Sequence, residues 1–581
     1  MIIGYALTAT YIILFASLVL SAVLSFKEIK NVFRGRLDRY SVSIAFVAVL
    51  FFITFSALYV HPVEQLYFDE NIYQGIALNI LHNANALWCQ YGTAQAAQCP
   101  NSQIYHDPVE WSFYLAIAFA IFGVGTATAY GFQLFAGALS IILVFLLASI
   151  LFDKKVGAAS AVVFALIPEI FIWSRTQMSP DLGMMMFSTL AFLCYVIYDR
   201  NKSTGTLSLF LSALAISVYL RIEAAILVPI FLLIYLLGGK KFDPIGRISD
   251  LITFDINKSA LVVFAFVLLL LPEVYYISYQ LNNLDYGSGY VCSSSSQSNH
   301  TFSLSYLSCN LGPNVGFFLG AYNAHSYYPA YFSIFTTVAA ILGLILLILT
   351  VKHGKREILL MLGLWILSFH IFYDFFYAGS ITYGVDVRFM LQVYPPIAIL
   401  AGVSIGQLGP WIIGFANKKF RRPRLSASKL AAFGLLSVMV MLLIFAIYPF
   451  VTAISAVTMP PSDMPQQQTA FAATNFINAN YNAVPANCLV FSFTPDVWYE
   501  LNRSSAQIGM LGSPDPSFDA FASHYSCFVI DYGFWCNVPP YQGSSCKTYS
   551  RYNLTVLASE NSTGNHFALY RINNYTDNNY G

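Results

Sequence analysis

The chain has 581 residues, of which 29 are Lys or Arg and 28 Asp or Glu, so only 10% are charged, against roughly 25% in an ordinary soluble domain. With 57% hydrophobic residues and a mean hydropathy of +0.63, this composition excludes a soluble globular enzyme, a disordered chain and a nucleic-acid binder, none of which can hide so much apolar surface from water. The solvent is largely lipid, and the net charge of +1 by itself names no acidic or basic partner.

A helix crossing the hydrocarbon needs about 20 mostly apolar residues. Twelve runs approach that length: 3–25, 41–60, 129–151, 156–173, 182–198, 206–220, 224–237, 260–279, 329–351, 358–376, 389–408 and 430–448. The first has no basic flank ahead of it and is followed by Lys27, Lys30, Arg34, Arg36 and Arg39, the pattern of an N-out signal anchor and not of a cleaved signal peptide. With that start, the inner loops near 26–40, 152–155, 199–205, 238–259, 352–357 and 409–429 collect 22 of the 29 basic residues against eight acidic ones. Basic loops stay on the cytoplasmic side, which predicts an N-out, C-out chain.

Three segments then project outward: a loop over 61–128, a Ser-rich loop over 281–328, and a tail over 451–581. Within the first, the apolar stretch 111–123 is too short to span and is expected to lie along the membrane surface. The tail opens on Pro460, Pro461 and Pro465, then predicts a helix over 466–480 and strands over 488–493, 527–532, 554–558 and 567–572. That makes a small α/β domain, the second of two, after a membrane module over 1–450. Eight of the nine cysteines fall outside, where disulfides persist. Local bridges are expected for Cys89 with Cys99 and Cys292 with Cys309, while Cys488, Cys527, Cys536 and Cys546 allow three pairings, and Cys194 sits in a span. Glycosylation sequons at Asn299, Asn502, Asn553, Asn561 and Asn574 lie outside, but those at Asn201 and Asn257 lie inside, so they add little.

Ionisable groups in lipid cost on the order of 2.5–3.5 kcal/mol each, so those near the membrane invite a functional reading. The outer boundary carries Asp69, Glu70, His106, Asp107, Glu110, Arg175, Asp181, Arg221, Glu223, Asp374, Asp386 and Arg388. Carboxylates converging there suit proton transfer or metal binding, and arginines suit an anionic group. Each has a plainer alternative. Asp69 and Glu70 in YFDENIYQGIALNI also suit capping of a helix whose Ile72, Ile76 and Ile80 face the bilayer. Arg175 also suits interfacial snorkelling, and Arg221 with Glu223 a local ion pair. Tyr73, one turn after the acids, joins the candidates for substrate contact.

The order of these features resembles a family: an acidic pair after a span, a surface helix, a Pro-containing entry to a short apolar helix ending in Phe-Gly, Ser-Arg with an Asp six residues on, and a late Arg before paired prolines. It is similar to the GT-C glycosyltransferases, in particular the branch of protein O-mannosyltransferases and aminoarabinose transferases that use polyprenyl-phosphate sugars. The resemblance runs over about 60–402 and implies an inverting transfer at the outer face to a hydroxyl of a protein, glycan or lipid. It makes Asp69 the base with Glu70 beside it, and Asp181 the second acid. Arg175, Arg221 and Arg388 would stand near the lipid phosphate. Where relatives show Lys or His before Pro-Pro-Leu, this chain has His106-Asp107-Pro108-Val109-Glu110, and the extra acids Asp107 and Glu110 are candidate ligands of a divalent cation.

Two rivals stand beside this reading. An oligosaccharyltransferase shares the GT-C fold and carries WWDYG, of which this chain has only Asp531-Tyr532-Gly533. A polytopic transporter or flippase would also have many spans, but its ionisable groups usually gather near mid-membrane. The fold class expected is mainly α: a polytopic GT-C-type helical bundle of about twelve spans with a small C-terminal extracytoplasmic α/β domain. Its setting would be a prokaryotic plasma membrane, archaeal included, or the endoplasmic reticulum.

Overall fold

The structure, a computed structural model, describes residues 2–575 except 106, 176–177, 238–255, 284–300, 321–330, 351–355, 382–385, 420–449, 457, 465–466, 512–514, 539–545, 547–550 and 574. The helices outside the tail are α1 (Ile2–Leu24), α2 (Phe26–Phe33), α3 (Arg39–Tyr59), α4 (Phe68–Asn83), α5 (Glu110–Phe122), α6 (Thr126–Leu151), α7 (Lys154–Ala165), α8 (Pro168–Arg175), α9 (Pro180–Asn201), α10 (Thr204–Leu220), α11 (Leu227–Leu237), α12 (Ile256–Asn283), α13 (Leu307–Phe318), α14 (Ile334–Thr350), α15 (Arg356–Asp374) and α16 (Tyr394–Lys419). Among the described residues, α1, α3, α6, α9, α12, α15 and α16 with its entry turn supply seven helices long and apolar enough to cross a membrane. The run expected over 156–173 is α7 and α8, bent by 62° where Pro168 lacks the N–H to continue the ladder. Three more expected runs are shorter helices, α10, α11 with its entry turn, and α14. The run 430–448 lies outside the described residues.

Local signals set the helix starts. Asp38 and Ser41 form a capping box at α3, Ser203 caps α10, and Pro180 opens α9 behind Ser179. The short apolar stretch over 111–123 forms α5, with Trp111 and Leu115 buried while Ile121 and Phe122 stay exposed at its end.

The isoleucine spacing of α4 predicts a helix lying on the bilayer. It is instead enclosed: Glu70 through Ile80 are all buried, the polar Asn71, Gln74 and Asn79 included. α5, strand β1 and a tail helix pack on it, and β1 belongs to a seven-stranded sheet of order β2-β1-β4-β3-β5-β7-β6. The loop before α5 supplies β1 (Trp88–Gly92) and β2 (Asn101–Gln103). The tail supplies β3 (Cys488–Ser492), β4 (Ser504–Gln507), β5 (Cys527–Tyr532), β6 (Leu554–Ser562) and β7 (Asn565–Ile572). Four of these match the predicted strands; β1, β2 and β4 are additional. β1 joins the tail antiparallel to β4 through Tyr91 opposite Ala506. β3 runs parallel to β4 and β5, while β7 is antiparallel to β5 and β6.

Side chains alternate along these strands. Val490 and Val529 face a core continuous with the bundle, whereas Leu489, Phe491 and Ile530 face a second core with Tyr91 and Phe518. Cys89 pairs with Cys99 as expected, and the tail cysteines adopt Cys488–Cys527 and Cys536–Cys546. The former bridge joins directly opposed residues of β3 and β5. Cys194 is free and buried. Cys292 lies outside the described residues, and with it the expected bridge to Cys309.

The tail helices are α17 (Gln468–Asn480), α18 (Pro495–Glu500) and α19 (Pro516–Ala522). α18 lies on α4 where Gly75 has no side chain: a Cβ there would sit 1.6 Å from Asp496 Oδ1. Trp88 donates to Asp496 Oδ2 at 3.3 Å, so β1, α4 and α18 meet at one point. At the start of α4, Phe68 packs edge-on against Phe493 and Trp535. Asp531, the acid of the DYG triplet, is buried in the sheet and accepts from Ser492 Oγ and Trp498 Nε1, both at 2.9 Å.

Two outcomes follow from this docking. Gly75→Ala should destabilise by about 1–3 kcal/mol through overpacking, and adding Asp496→Ala should recover part of it. The check is the thermal midpoint in detergent, with equal midpoints for Gly75→Ala and wild type as the contrary result. Burial pushes Asp531 up to about 6, opposed by the bonds from Trp498 and Ser492. In the unfolded chain its pKa returns to about 4, so the folded state holds this proton more tightly, and its contribution falls by about 3 kcal/mol as pH rises from 4 through 6. Asp531→Asn should therefore flatten the dependence of the midpoint on pH across that window, and an unchanged slope would reject this assignment.

Candidate active site

The charged residues of the candidate site sit at helix ends and breaks, where neighbouring helices bring them together. Asp69 is in the first turn of α4, where the helix dipole favours an anion. Asp181 is in the first turn of α9. Arg221 ends α10 in an extended conformation, and Glu223 follows in the 3-10 turn before α11. Arg388 lies in the 3-10 segment Asp386–Val393 that enters α16.

Asp181 is the centre of the cluster. Only 2% exposed, it stands 3.7 Å from Arg221 Nε through Oδ1 and 3.8 Å from Arg388 Nε through Oδ2. Arg221 also holds Glu223 with two bonds, at 2.8 and 3.3 Å, and reaches Asp107 at 3.9 Å. Arg388 Nη1 lies 3.6 Å from Asp69 Oδ2. Both guanidinium groups lie over the ring of Phe389, their Cζ atoms 5.2 and 5.1 Å from its centroid, within cation–π range. Tyr373 stacks beside Phe389 at 5.3 Å, and Gln392 donates to the Asp181 carbonyl.

The separations of 3.6–3.9 Å are ion pairs and not hydrogen bonds. Accordingly Arg221 Nη1, Arg388 Nε and Asp181 Oδ2 are buried without a hydrogen-bond partner among the described residues. Such groups cost about 1–3 kcal/mol each when left unmatched. Asp69 and Asp107 form the rim, their side chains 22% and 21% exposed. Tyr105 donates to Asp69 Oδ1 at 2.5 Å, and Tyr73 to Asp107 Oδ2 at 3.3 Å.

Several sequence candidates stand elsewhere. Glu70 turns to α6, where Tyr130 donates to it at 3.1 Å; burial pushes its carboxyl well above the usual range, opposed by that bond. Arg175 ends α8 near Tyr130, outside the Asp181 cluster. Glu110 accepts from Tyr114 on its own helix, while Asp107 faces Tyr73 and Arg221, so the two extra acids take different partners. Among the described residues no group of three or more His, Cys, Asp or Glu is arranged to hold a metal ion. Asp374 accepts from Asn314 of α13. His106 and the side chain of Asp386 lie outside the described residues. Tyr105, Phe389 and Gln392 went unnoticed in the sequence. Adjacency to a charged candidate was the available signal for the first two, and nothing marked the third.

The profile of the dolichyl-phosphate-mannose-protein mannosyltransferase family matches residues 106–277. No curated protein matches the chain in sequence. Among solved structures, ArnT from Cupriavidus metallidurans bound to undecaprenyl phosphate is 12% identical with a TM-score of 0.56, over 91% of this chain and 98% of that one. Its apo state gives 12% and 0.53, over 92% and 97%. The Archaeoglobus fulgidus oligosaccharyltransferase in the apo form gives 14% and 0.49, over 91% and 74%. With at least seven helices long and apolar enough to cross a membrane among its described residues, the chain is an integral membrane protein that shares its fold with ArnT and is similar over residues 106–277 to the dolichyl-phosphate-mannose-protein mannosyltransferase family.

Proposed function

We propose that the chain is an inverting glycosyltransferase that moves a sugar from a polyprenyl- or dolichyl-phosphate donor to a hydroxyl of a protein, glycan or lipid at the outer membrane face, with Asp69 as base. The observation that carries this reading is one partly exposed carboxylate, Asp69, set beside two buried guanidinium groups that have N–H donors left over. Four carboxylates, Asp69, Asp107, Asp181 and Glu223, outnumber the two arginines, so a phosphate would be held by directed donors and not by net charge. The matching family's name and the undecaprenyl phosphate in the ArnT structure supply the donor class.

In this mechanism Asp69 Oδ2 takes the proton of the acceptor hydroxyl while Tyr105 holds Oδ1. The acceptor oxygen bonds to the anomeric carbon as the bond from that carbon to the phosphate oxygen breaks. The lipid phosphate leaves with the electron pair, and Arg388 and Arg221 stabilise its charge where little water competes. A single displacement inverts the anomeric centre. Asp181 keeps the two arginines in place through its own paired oxygens.

A cavity of about 850 Å³ between α1, α5, α6 and α9, lined by Phe15, Trp111, Tyr114, Phe135 and Phe187, suits a prenyl chain. Trp111 in its wall lies against Gly183, two residues past Asp181. Against an oligosaccharyltransferase reading, Asp531 of the DYG triplet is engaged within the sheet by Ser492 and Trp498. A transporter reading is disfavoured by the position of the Asp181 cluster, whose charges gather at helix ends.

Asp69→Asn should cut lipid-phosphate release from a panel of labelled polyprenyl-phosphate sugars by about 10²–10⁴-fold while donor binding stays within a few-fold. Wild-type turnover in that variant would sink the assignment of the base.

A further inference from the structure

Resting on that reading, we propose that Tyr276 of α12 is a positioning residue that holds the segment bearing Tyr105 and Asp107 in place, and through Tyr105 orients the base Asp69. Its hydroxyl lies 2.5 Å from the Tyr105 carbonyl and 2.8 Å from the Asp107 carbonyl, so one phenol bridges the two peptide groups on either side of position 106. From that segment the Tyr105 side chain continues to Asp69 Oδ1, and Asp107 to Tyr73 and Arg221.

The burial pattern of α12 argues that this contact is specific. Only 17% of the span Ser259–Tyr279 is buried, and Leu268, Leu271, Val274, Tyr275 and Tyr279 lie on its exposed side. Tyr276 is nevertheless 1% exposed, as is Glu273 one turn earlier on the same face. A helix that is mostly lipid-facing thus turns its tyrosine hydroxyl onto the backbone beside the site. A phenol aimed at two carbonyls does little for apolar packing. In a medium that excludes water its single O–H is shared between those two carbonyls.

Tyr219 of α10 donates to the Leu269 carbonyl of α12, which anchors the helix one turn before Pro272. The chain of contacts therefore starts on a fixed element: α10 to α12, α12 to the 105–107 segment, and that segment to Asp69. The geometry of the base then depends on a helix that contributes no charged residue to the Asp181 cluster.

The test compares purified Tyr276→Phe, Tyr105→Phe and the double variant, with Tyr275→Phe, 58% exposed on the same helix, as control. Lipid-phosphate release from polyprenyl-phosphate sugars gives kcat and donor KM, and hydrogen–deuterium exchange follows peptides covering 101–110. We expect Tyr276→Phe and Tyr105→Phe each to lower kcat by about tenfold with donor KM within about threefold, and the double variant to fall little further, because both act through one hydroxyl. Exchange in 101–110 should rise in Tyr276→Phe and not in Tyr275→Phe. Multiplicative losses in the double variant, unchanged exchange, or faster exchange with unchanged kcat would each overturn the positioning role. Wild-type protein that releases no lipid phosphate would instead overturn the transfer reading, and this role with it.

Discussion

Asp181 lies buried between Arg221 and Arg388, and most of the surrounding architecture serves to make that placement tolerable. A lone carboxylate in so dry a setting would be strongly disfavoured, as would either arginine alone. The three come from the start of α9, the end of α10 and the entry to α16, so their mutual attraction ties three helix ends into one geometry. Phe389 beneath both guanidinium groups and Glu223 beside Arg221 complete their surroundings. The remaining long separations leave directed donors available at the bottom of a site whose rim carries Asp69 and Asp107.

The rim depends on a different constraint, the enclosure of α4. A helix with Asn71, Gln74 and Asn79 among its isoleucines would sit half in water if it lay on a bilayer. α5, β1 and the tail helix α18 pack on it, and the loop before α5 contributes β1 and β2 to the sheet of the tail. Residues separated by more than 400 positions are thereby hydrogen-bonded, as Trp88 is to Asp496. The tail packs on the helix that presents Asp69, with Phe68 between Phe493 and Trp535 immediately before it. Tail and site are thus joined by direct packing on α4.

Much of the bundle was legible in the sequence because lipid imposes a strict length on apolar runs, and the breaks between runs had recognisable residues: Pro168 between α7 and α8, Ser179 and Pro180 before α9, Arg221 and Glu223 before α11. The strands β3, β5, β6 and β7 were legible for the same kind of reason, an alternating or continuously apolar stretch bounded by turn residues. β4 was not, because SSAQ has neither length nor apolar character, and it is a strand only through its neighbours. β1 was hidden because it is short and, of its two partners, β4 lies far away in the chain while β2 is only three residues long.

Within the site, sequence supplied the inventory of rare charges at helix ends, and so determined which residues had to be explained. It had no means of separating Asp69 from Glu70, which are adjacent yet take different surroundings because successive helical side chains diverge by about 100°. Nor could it assemble Arg221 and Arg388 around one carboxylate while setting Arg175 apart, or single out Tyr276 from Tyr275. Composition and periodicity determined that this is a membrane bundle with most of its few charges near helix ends. The pairing of those charges was decided by tertiary packing, because which side chains meet depends on how helices and sheet enclose one another, and that information is carried by no single segment.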